Sequence, residues 1–253
     1  MLKVRVVPVL LLKEGRMIKT RRFCFYKDTG DPLLAVRVYD SQGADELVIL
    51  DISATVEGRA QLYEFISKCA RQCFIPLTVG GGIRIIEEAR RAFTAGADRV
   101  SISTAAVDDP GFIDDLASAF GRANVVVCID AFYDEGNVPR VSTHSARRVT
   151  PLEVIPWAVE VAERGAGEIM LHFVDRDGMM TGYDLDLLRS VAEAVEVPVM
   201  ALGGVGNLQH LVEGVLEGRA SAVACASIFH FTDQSPIKAH SYMHDKGIPV
   251  CLA

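Results

Sequence analysis

Short apolar runs alternate with amphipathic segments along the whole chain. Eight runs are apolar throughout, as in parallel strands covered by helices, and they lie near residues 4–12, 46–51, 77–79, 99–102, 125–131, 168–174, 198–201 and 222–225. The segments between them have helical period, for example Ala60 to Gln72, Glu87 to Ala95, Pro156 to Arg164 and Leu185 to Ala194. The pattern predicts eight βα units, with Glu14 to Pro32 as a long loop after the first strand.

The sequence also repeats itself at a fixed offset. Gly81-Gly82 recurs as Gly203-Gly204, and Gly96 recurs as Gly218, in both cases 122 residues further on. Eight βα units in two similar halves favour a closed barrel over a doubly wound open sheet, which would not explain the duplication. We therefore predict an α/β protein with a single (β/α)8 TIM barrel domain over residues 1–253, with half-barrels of about 1–122 and 123–253.

Composition narrows the class of protein. Of the 253 residues, 50% are hydrophobic and 23% are charged, which is typical of a folded chain with a large core. The net charge of −7 argues against a surface built for nucleic acid. The six cysteines have no CxxC spacing, and no apolar stretch is long enough to cross a bilayer. We expect a cytoplasmic protein with reduced thiols and neither nucleic-acid nor membrane partners.

The two glycine pairs follow strands three and seven. Without a Cβ, their backbone N–H groups can approach a ligand closely, and such loops favour phosphate. Ser103-Thr104 after strand four and Ala226-Ser227 after strand eight hold the neighbouring positions. Tight turns alone would need the same glycines, but the symmetric repetition favours two phosphate sites.

Acidic residues end two other strands. Asp130 follows an apolar run in strand five, and Asp175-Arg176-Asp177-Gly178 follows strand six. Carboxylates at the C-terminal ends of barrel strands are placed for proton transfer or ligand contact, although a solvated Asp-Gly turn has the same sequence. His172 ends strand six and can point into the same mouth. No His, Cys or Asp set has metal-ligand spacing, so we predict no metal site.

Charged residues also mark the opposite ends of four strands. They are Arg5, Glu46, Arg99 and Glu168, two of each sign. Such positions at the barrel bottom usually serve stability. They can form a closed ring of ion pairs, or remain four separate surface charges that contribute little.

These motifs together resemble the HisF family, the cyclase subunit of imidazole glycerol phosphate synthase, over almost the whole chain. The most specific stretches are Thr78 to Ile83 (TVGGGI), Asp175 to Gly178 (DRDG), Gly182-Tyr183-Asp184 and Phe229-His230-Phe231. In that family a glutaminase docks at the barrel bottom. Ammonia then travels through the barrel to a substrate with two phosphates at the top.

The resemblance implies a role for each matching position. One phosphate site would comprise Gly82, Ser103 and Thr104, and the other Asp177, Gly178, Gly204, Ala226 and Ser227. The ammonia gate would comprise Arg5, Glu46, Arg99 and Glu168, with Asp98 at the glutaminase interface. Asp130 matches one of two catalytic aspartates, and no cofactor is implied.

The second catalytic aspartate is replaced. Leu11 stands where the family has this general acid/base, in the sequence Val9 to Gly15 (VLLLKEG). Leucine cannot transfer a proton, and losing such a group costs about 10²–10⁴ in rate. The P-x-L-L-L-K opening resembles HisF-like proteins of acetamidino-sugar pathways, which work beside a HisH-like glutaminase and an N-acetyl sugar amidotransferase.

This second resemblance implies an ammonia-channelling subunit of a glutamine-dependent amidotransferase system for lipopolysaccharide or similar glycans. Two alternatives stay open. One is the cyclase subunit of histidine biosynthesis, working with Asp130 alone or with a substitute acid. The other is a noncatalytic scaffold that binds a phosphorylated small molecule.

Overall fold

The computed structural model of the protein describes residues 3–252. The strands in this range are β1 (Arg5–Lys13), β2 (Arg16–Arg21), β3 (Cys24–Gly30), β4 (Leu47–Asp51), β5 (Leu77–Gly80), β6 (Arg99–Ile102), β7 (Val125–Tyr133), β8 (Pro139–Thr143), β9 (Arg148–Glu153), β10 (Glu168–Phe173), β11 (Val199–Leu202) and β12 (Ala222–Cys225).

The helices of the same range are α1 (Pro32–Ser41), α2 (Ala54–Glu57), α3 (Tyr63–Ala70), α4 (Ile86–Thr94), α5 (Thr104–Asp108), α6 (Gly111–Phe120), α7 (Val154–Arg164), α8 (Leu185–Ala194), α9 (Leu208–Leu216), α10 (Ser227–Phe231) and α11 (Pro236–Asp245). Short 3₁₀ helices span Arg122–Asn124 and Val174–Arg176. Over residues 3–252, no helix is long and apolar enough to cross a membrane.

Eight parallel strands close into a barrel, which confirms the predicted fold. Their order is β1, β4, β5, β6, β7, β10, β11 and β12, and β12 pairs back with β1. Each predicted apolar run overlaps one of these strands. The parallel pairing of β7 with β10 sets His172 beside Asp130 at the carboxyl ends of the strands. The barrel therefore has one mouth, here called the top.

The barrel strands are mainly apolar because both of their faces are buried. Val6 and Leu10 of β1 belong to an outer core between the barrel and its helices. Val7 and Val9 of the same strand belong to a smaller inner core, with Met170 of β10. Successive side chains on a strand point to opposite faces, so each strand contributes to both cores.

The predicted loop from Glu14 to Pro32 is instead mostly an antiparallel hairpin of β2 and β3. Strand β2 pairs with the top of β1, where Leu11 lies opposite Ile18. The hairpin escaped detection because two of its buried residues, Lys19 and Thr20, are polar. A second hairpin, β8 and β9, extends β7 in the same way. Both hairpins lie at the top of the barrel.

The outer core gives a direct test of this packing. Leu171 is fully buried, whereas Leu216 on α9 is 61% exposed. Leu171→Ala should lower the free energy of unfolding by about 2–5 kcal/mol, because the lost contacts leave a cavity. The matched control, Leu216→Ala, should change it by less than about 0.5 kcal/mol. Urea denaturation measures both, and equal losses would contradict the packing described.

Candidate functional site

A cavity of about 200 Å³ opens at the top of the barrel. It brings together the first predicted phosphate set with Asp130, and its walls include Leu11, Gly82, Ser103, Thr104, Asp130 and His172. These residues come from or directly follow the ends of β1, β5, β6, β7 and β10. Their meeting follows from parallel strands that end on one face.

Gly82 forms one edge of the cavity. Its φ of +72° and a Cβ position only 2.7 Å from the Ala54 Cβ exclude other residues without rearrangement. Its N–H donates to the Thr55 hydroxyl at 3.1 Å, and the Thr104 hydroxyl nearby accepts from the His144 N–H at 3.0 Å. The loop is therefore a narrow polar edge. Its binding of phosphate stays a prediction.

Three side chains hold the Asp130 carboxylate. The Ser103 hydroxyl donates to its Oδ2 at 3.3 Å, and the Cys128 thiol donates to its Oδ1 at 3.6 Å. His172 Nδ1 lies 3.3 Å from the same Oδ1. Asp130 is only 8% exposed, and it lines the cavity. The carboxylate therefore has a fixed position, although its catalytic role stays a prediction.

His172 lies between two carboxylates. In addition to the Asp130 contact, its Nε2 is 3.9 Å from Asp177 Oδ1, too far for a hydrogen bond. Within residues 3–252, this Nε2 has no hydrogen-bond partner. The ring of Phe23 packs on the imidazole with centroids 4.7 Å apart. Burial lowers the pKa of His172, but interactions with Asp130 and Asp177 outweigh it, and the pKa is raised overall. The two carboxylates thus favour the protonated imidazole more than in an ordinary histidine.

Asp177 is enclosed by the β2–β3 hairpin. Lys19 Nζ lies 2.5 Å from its Oδ1, and the Thr20 hydroxyl donates to its Oδ2 at 2.5 Å. Burial raises the pKa of Asp177, but the interactions with His172 and Lys19 lower it by a larger amount. The pKa of Asp177 therefore lies well below its ordinary range. Gly178 is also covered, because a Cβ there would collide with the Thr20 carbonyl oxygen.

The second predicted phosphate set is therefore separate from the cavity. None of its members, Asp177, Gly178, Gly204, Ala226 and Ser227, lines it. Ala226 and Ser227 are buried at the start of α10, and Gly204 accepts a hydrogen bond from the Gly182 N–H at 2.8 Å. In this arrangement only the first set is open to a ligand in the mouth.

Cys128, Asp130 and His172 place three possible ligand atoms within 4.8 Å of one another. Hydrogen bonds and the imidazole–carboxylate contact account for this grouping. Burial raises the pKa of the Cys128 thiol well above its usual range, and Asp130 raises it further. The thiol is thus protonated and not a metal-binding thiolate. We do not assign these residues as ligands, and the absence of a metal site stays a prediction.

At the barrel bottom, Arg5, Glu46, Arg99 and Glu168 contact one another in a closed alternating ring. Arg5 pairs with Glu46 at 2.5 Å and also with Glu168. Arg99 pairs with Glu46 at 3.3 Å and with Glu168 at 2.6 Å. Both glutamates are almost fully buried, so these are not separate surface charges. The exposed Asp98 lies next in sequence and accepts from the Leu77 N–H at 2.8 Å.

Sequence reasoning missed the hairpin residues that reach into the site. In the sequence, Lys19 is one of several basic residues near the N-terminus, and Thr20 and Phe23 belong to no recognisable motif. All three contact residues that are distant in sequence: Lys19 and Thr20 contact Asp177, and Phe23 contacts His172. Asp51, another strand-end carboxylate, is paired with Arg59 at 2.7 Å and is not a free acid.

Because the Lys19–Asp177 pair is buried, we expect replacement of Lys19 to destabilise the protein more than replacement of an exposed, paired lysine. Lys19→Met leaves Asp177 buried with one cation fewer, so we expect a loss of about 3 kcal/mol in the free energy of unfolding. The matched control is Lys238→Met, which removes an exposed pair with Asp233 at 3.1 Å and should cost less than about 1 kcal/mol. Urea denaturation at pH 7 compares the two. Similar small losses would show that the pair does not hold the hairpin.

Comparison with known proteins agrees with the fold and the motifs. The family model described as "Histidine biosynthesis protein" matches residues 5–235. The imidazole glycerol phosphate synthase subunit HisF of Caulobacter vibrioides, strain NA1000 / CB15N, is 49% identical over 253 residues, covering 100% of this chain and 97% of the relative. The same subunit of strain ATCC 19089 / CIP 103742 / CB 15 matches with the same identity and coverage.

These matches correct the functional prediction. The assignment to acetamidino-sugar and lipopolysaccharide pathways, with an N-acetyl sugar amidotransferase as partner, is wrong, because full-length similarity favours the alternative of a HisF cyclase subunit. The prediction gave one replaced side chain, Leu11, more weight than identity spread over both half-barrels. The chain belongs to the HisF family of histidine biosynthesis proteins.

Proposed function

We propose that this chain is the cyclase subunit of an imidazole glycerol phosphate synthase. It receives ammonia from a glutaminase at the barrel bottom and joins it to a phosphorylated substrate at the top. The observation that carries the proposal is the cavity, in which the Asp130 carboxylate and the Gly82 loop face the same space. A proton-transfer group and an anion-binding loop are thereby brought within reach of one small molecule.

The interior between the two ends suits neutral ammonia. The inner core is apolar, and its members include Val48, Val126, Met200 and Ala222. A charged ammonium ion would lose its hydration there without a compensating partner, whereas NH3 pays a much smaller cost. In this proposal the glutaminase docks around the ring, near Asp98.

At the top of the barrel, the two phosphate sets differ in how open they are to the substrate. One phosphate binds at Gly82, Ser103 and Thr104, which line the cavity. Two members of the second set are covered, because the hairpin contacts both Asp177 and Gly178. A second phosphate therefore reaches these two residues only when the hairpin moves.

Complementation tests the proposal as a whole. Because Asp130 faces the cavity, the chain should restore growth without histidine to a bacterial strain that lacks its cyclase and retains its glutaminase, and Asp130→Asn should not. Expression and thermal melting of both proteins provide the control. A folded, well-expressed chain that fails to restore growth would overturn the proposal. Binding of a bisphosphate without turnover would instead indicate a scaffold.

A second prediction concerns the ring at the bottom. Arg99→Ala removes two of the ring's ion pairs and should let ammonia escape, so less product forms per glutamine hydrolysed. The matched control is Arg122→Ala, an arginine that bonds the Ala162 carbonyl at 3.0 Å outside the ring. With glutaminase present, we expect this ratio to fall several-fold for Arg99→Ala only. An unchanged ratio would show that ammonia does not pass the ring.

A further inference from the structure

The proposed function leaves one group in the cavity without a role. His172 lines the cavity and is 3% exposed, and its position beside Asp130 follows from the pairing of β10 with β7. Position 11, where the family resemblance expects a second acid/base, is held by a buried leucine in the same cavity. The mouth thus contains a base, Asp130, but no carboxylic acid at the expected place to complement it.

Buried charges of alternating sign continue from Asp130 through His172 and Asp177 to Lys19. With a neutral imidazole, two carboxylates would share a single ammonium group in a buried region, which is costly. With an imidazolium, the four groups balance. The arrangement therefore favours a proton on His172.

Among residues 3–252, no charge other than those of Asp130 and Asp177 is paired with the imidazole. From β7 it is faced by Asp130, with the protonated Cys128 behind it. From the segment after β10 it is faced by Asp177, and the hairpin adds Lys19 behind Asp177 and the ring of Phe23. From β11 it meets Leu202, its partner in register, and the backbone at Gly203.

We propose, building on the proposed cyclase function, that His172 is the proton donor of the reaction and supplies the acid that Leu11 cannot. Asp130 is the matching base on the neighbouring strand. Both groups line one wall of the cavity, so ammonia emerging from the barrel and the oxygen that it displaces meet an adjacent acid and base.

The proton balance of this step closes within the pair. Ammonia attacks an oxygen-bearing carbon of the substrate, a C–N bond forms, and the nitrogen becomes positively charged. Asp130 accepts a proton from that nitrogen. The C–O bond then breaks as His172 gives its Nδ1 proton to the departing oxygen, which leaves as water or alcohol, while the Nε2 proton stays on the ring beside Asp177. The proton on Asp130 returns to the neutral imidazole through the 3.3 Å Nδ1–Oδ1 contact. No oxidant or metal is needed.

Titration of the free protein tests the charge state without any substrate. In ¹⁵N-histidine spectra of the full chain, with His172 assigned from His172→Gln, we expect its ring to remain protonated at a higher pH than that of exposed His244. Asp130→Asn and Asp177→Asn should each lower the pH at which it loses the proton. A His172 that titrates at or below the pH of His244 would overturn the inference.

Kinetics test the role of the proton. With saturating ammonium salt and the bisphosphate substrate, kcat should fall as pH rises through the titration of His172, since the donor must be protonated. His172→Gln should lower kcat by about 100-fold or more and remove this alkaline limb. Its matched control is His240→Asn, which removes a buried histidine paired with Asp45 at 2.7 Å, outside the residues that line the cavity.

The outcomes separate the two proposals. If the unmodified chain turns over but His172→Gln keeps its rate within about tenfold and the same pH limb, His172 is not the donor while the cyclase function stands. If the unmodified chain shows no turnover, the cyclase function fails, and this inference fails with it. Should His172→Gln not fold, Asp177→Asn keeps the imidazole in place. In this variant, the fall of kcat with rising pH should occur at lower pH than in the unmodified chain. A fall at the same pH would overturn the inference.

Discussion

Parallel pairing between β7 and β10 places His172 directly opposite Asp130 in the wall of the barrel. Side chains at paired positions of adjacent strands point to the same face, and the strands lie only about 4.8 Å apart. The distance between imidazole and carboxylate is therefore set by the sheet and not by a loop. The backbone positions of both groups therefore depend on the barrel and not on the hairpin above it.

Charged side chains are buried in this molecule under one condition, which is that neighbouring charges have opposite sign. The ring of Arg5, Glu46, Arg99 and Glu168 satisfies it at the bottom. The series from Asp130 to Lys19 satisfies it at the top. Between them lies the apolar inner core. Each end balances its own charge, so the interior carries no net field from either to trap a cation, and a neutral molecule can cross it.

The barrel was predictable because it depends on patterns that are local in sequence. Apolar runs marked the strands, and the recurrence of Gly81-Gly82 as Gly203-Gly204 marked the halves. The hairpin was not predictable, since Lys19 and Thr20 are buried only through bonds to Asp177, more than 150 residues away. The contact of His172 with Asp130 depends on strand register, which hydrophobic periodicity does not fix. The replacement of an acid/base at Leu11 stays a prediction, and the choice of pathway drawn from it was wrong.

The two predicted halves differ in chemistry. The glycine loop after β5 opens into the cavity, whereas Asp177 and Gly178 of the second set lie beneath the hairpin. Leu11 pairs in register with Ile18 of that hairpin and belongs to the inner apolar core. A carboxylate at position 11 would lie in these apolar surroundings without a partner, whereas the β7–β10 wall already holds balanced charges. In the proposed mechanism, proton transfer is thus concentrated on one wall, while the opposite wall supplies an apolar surface.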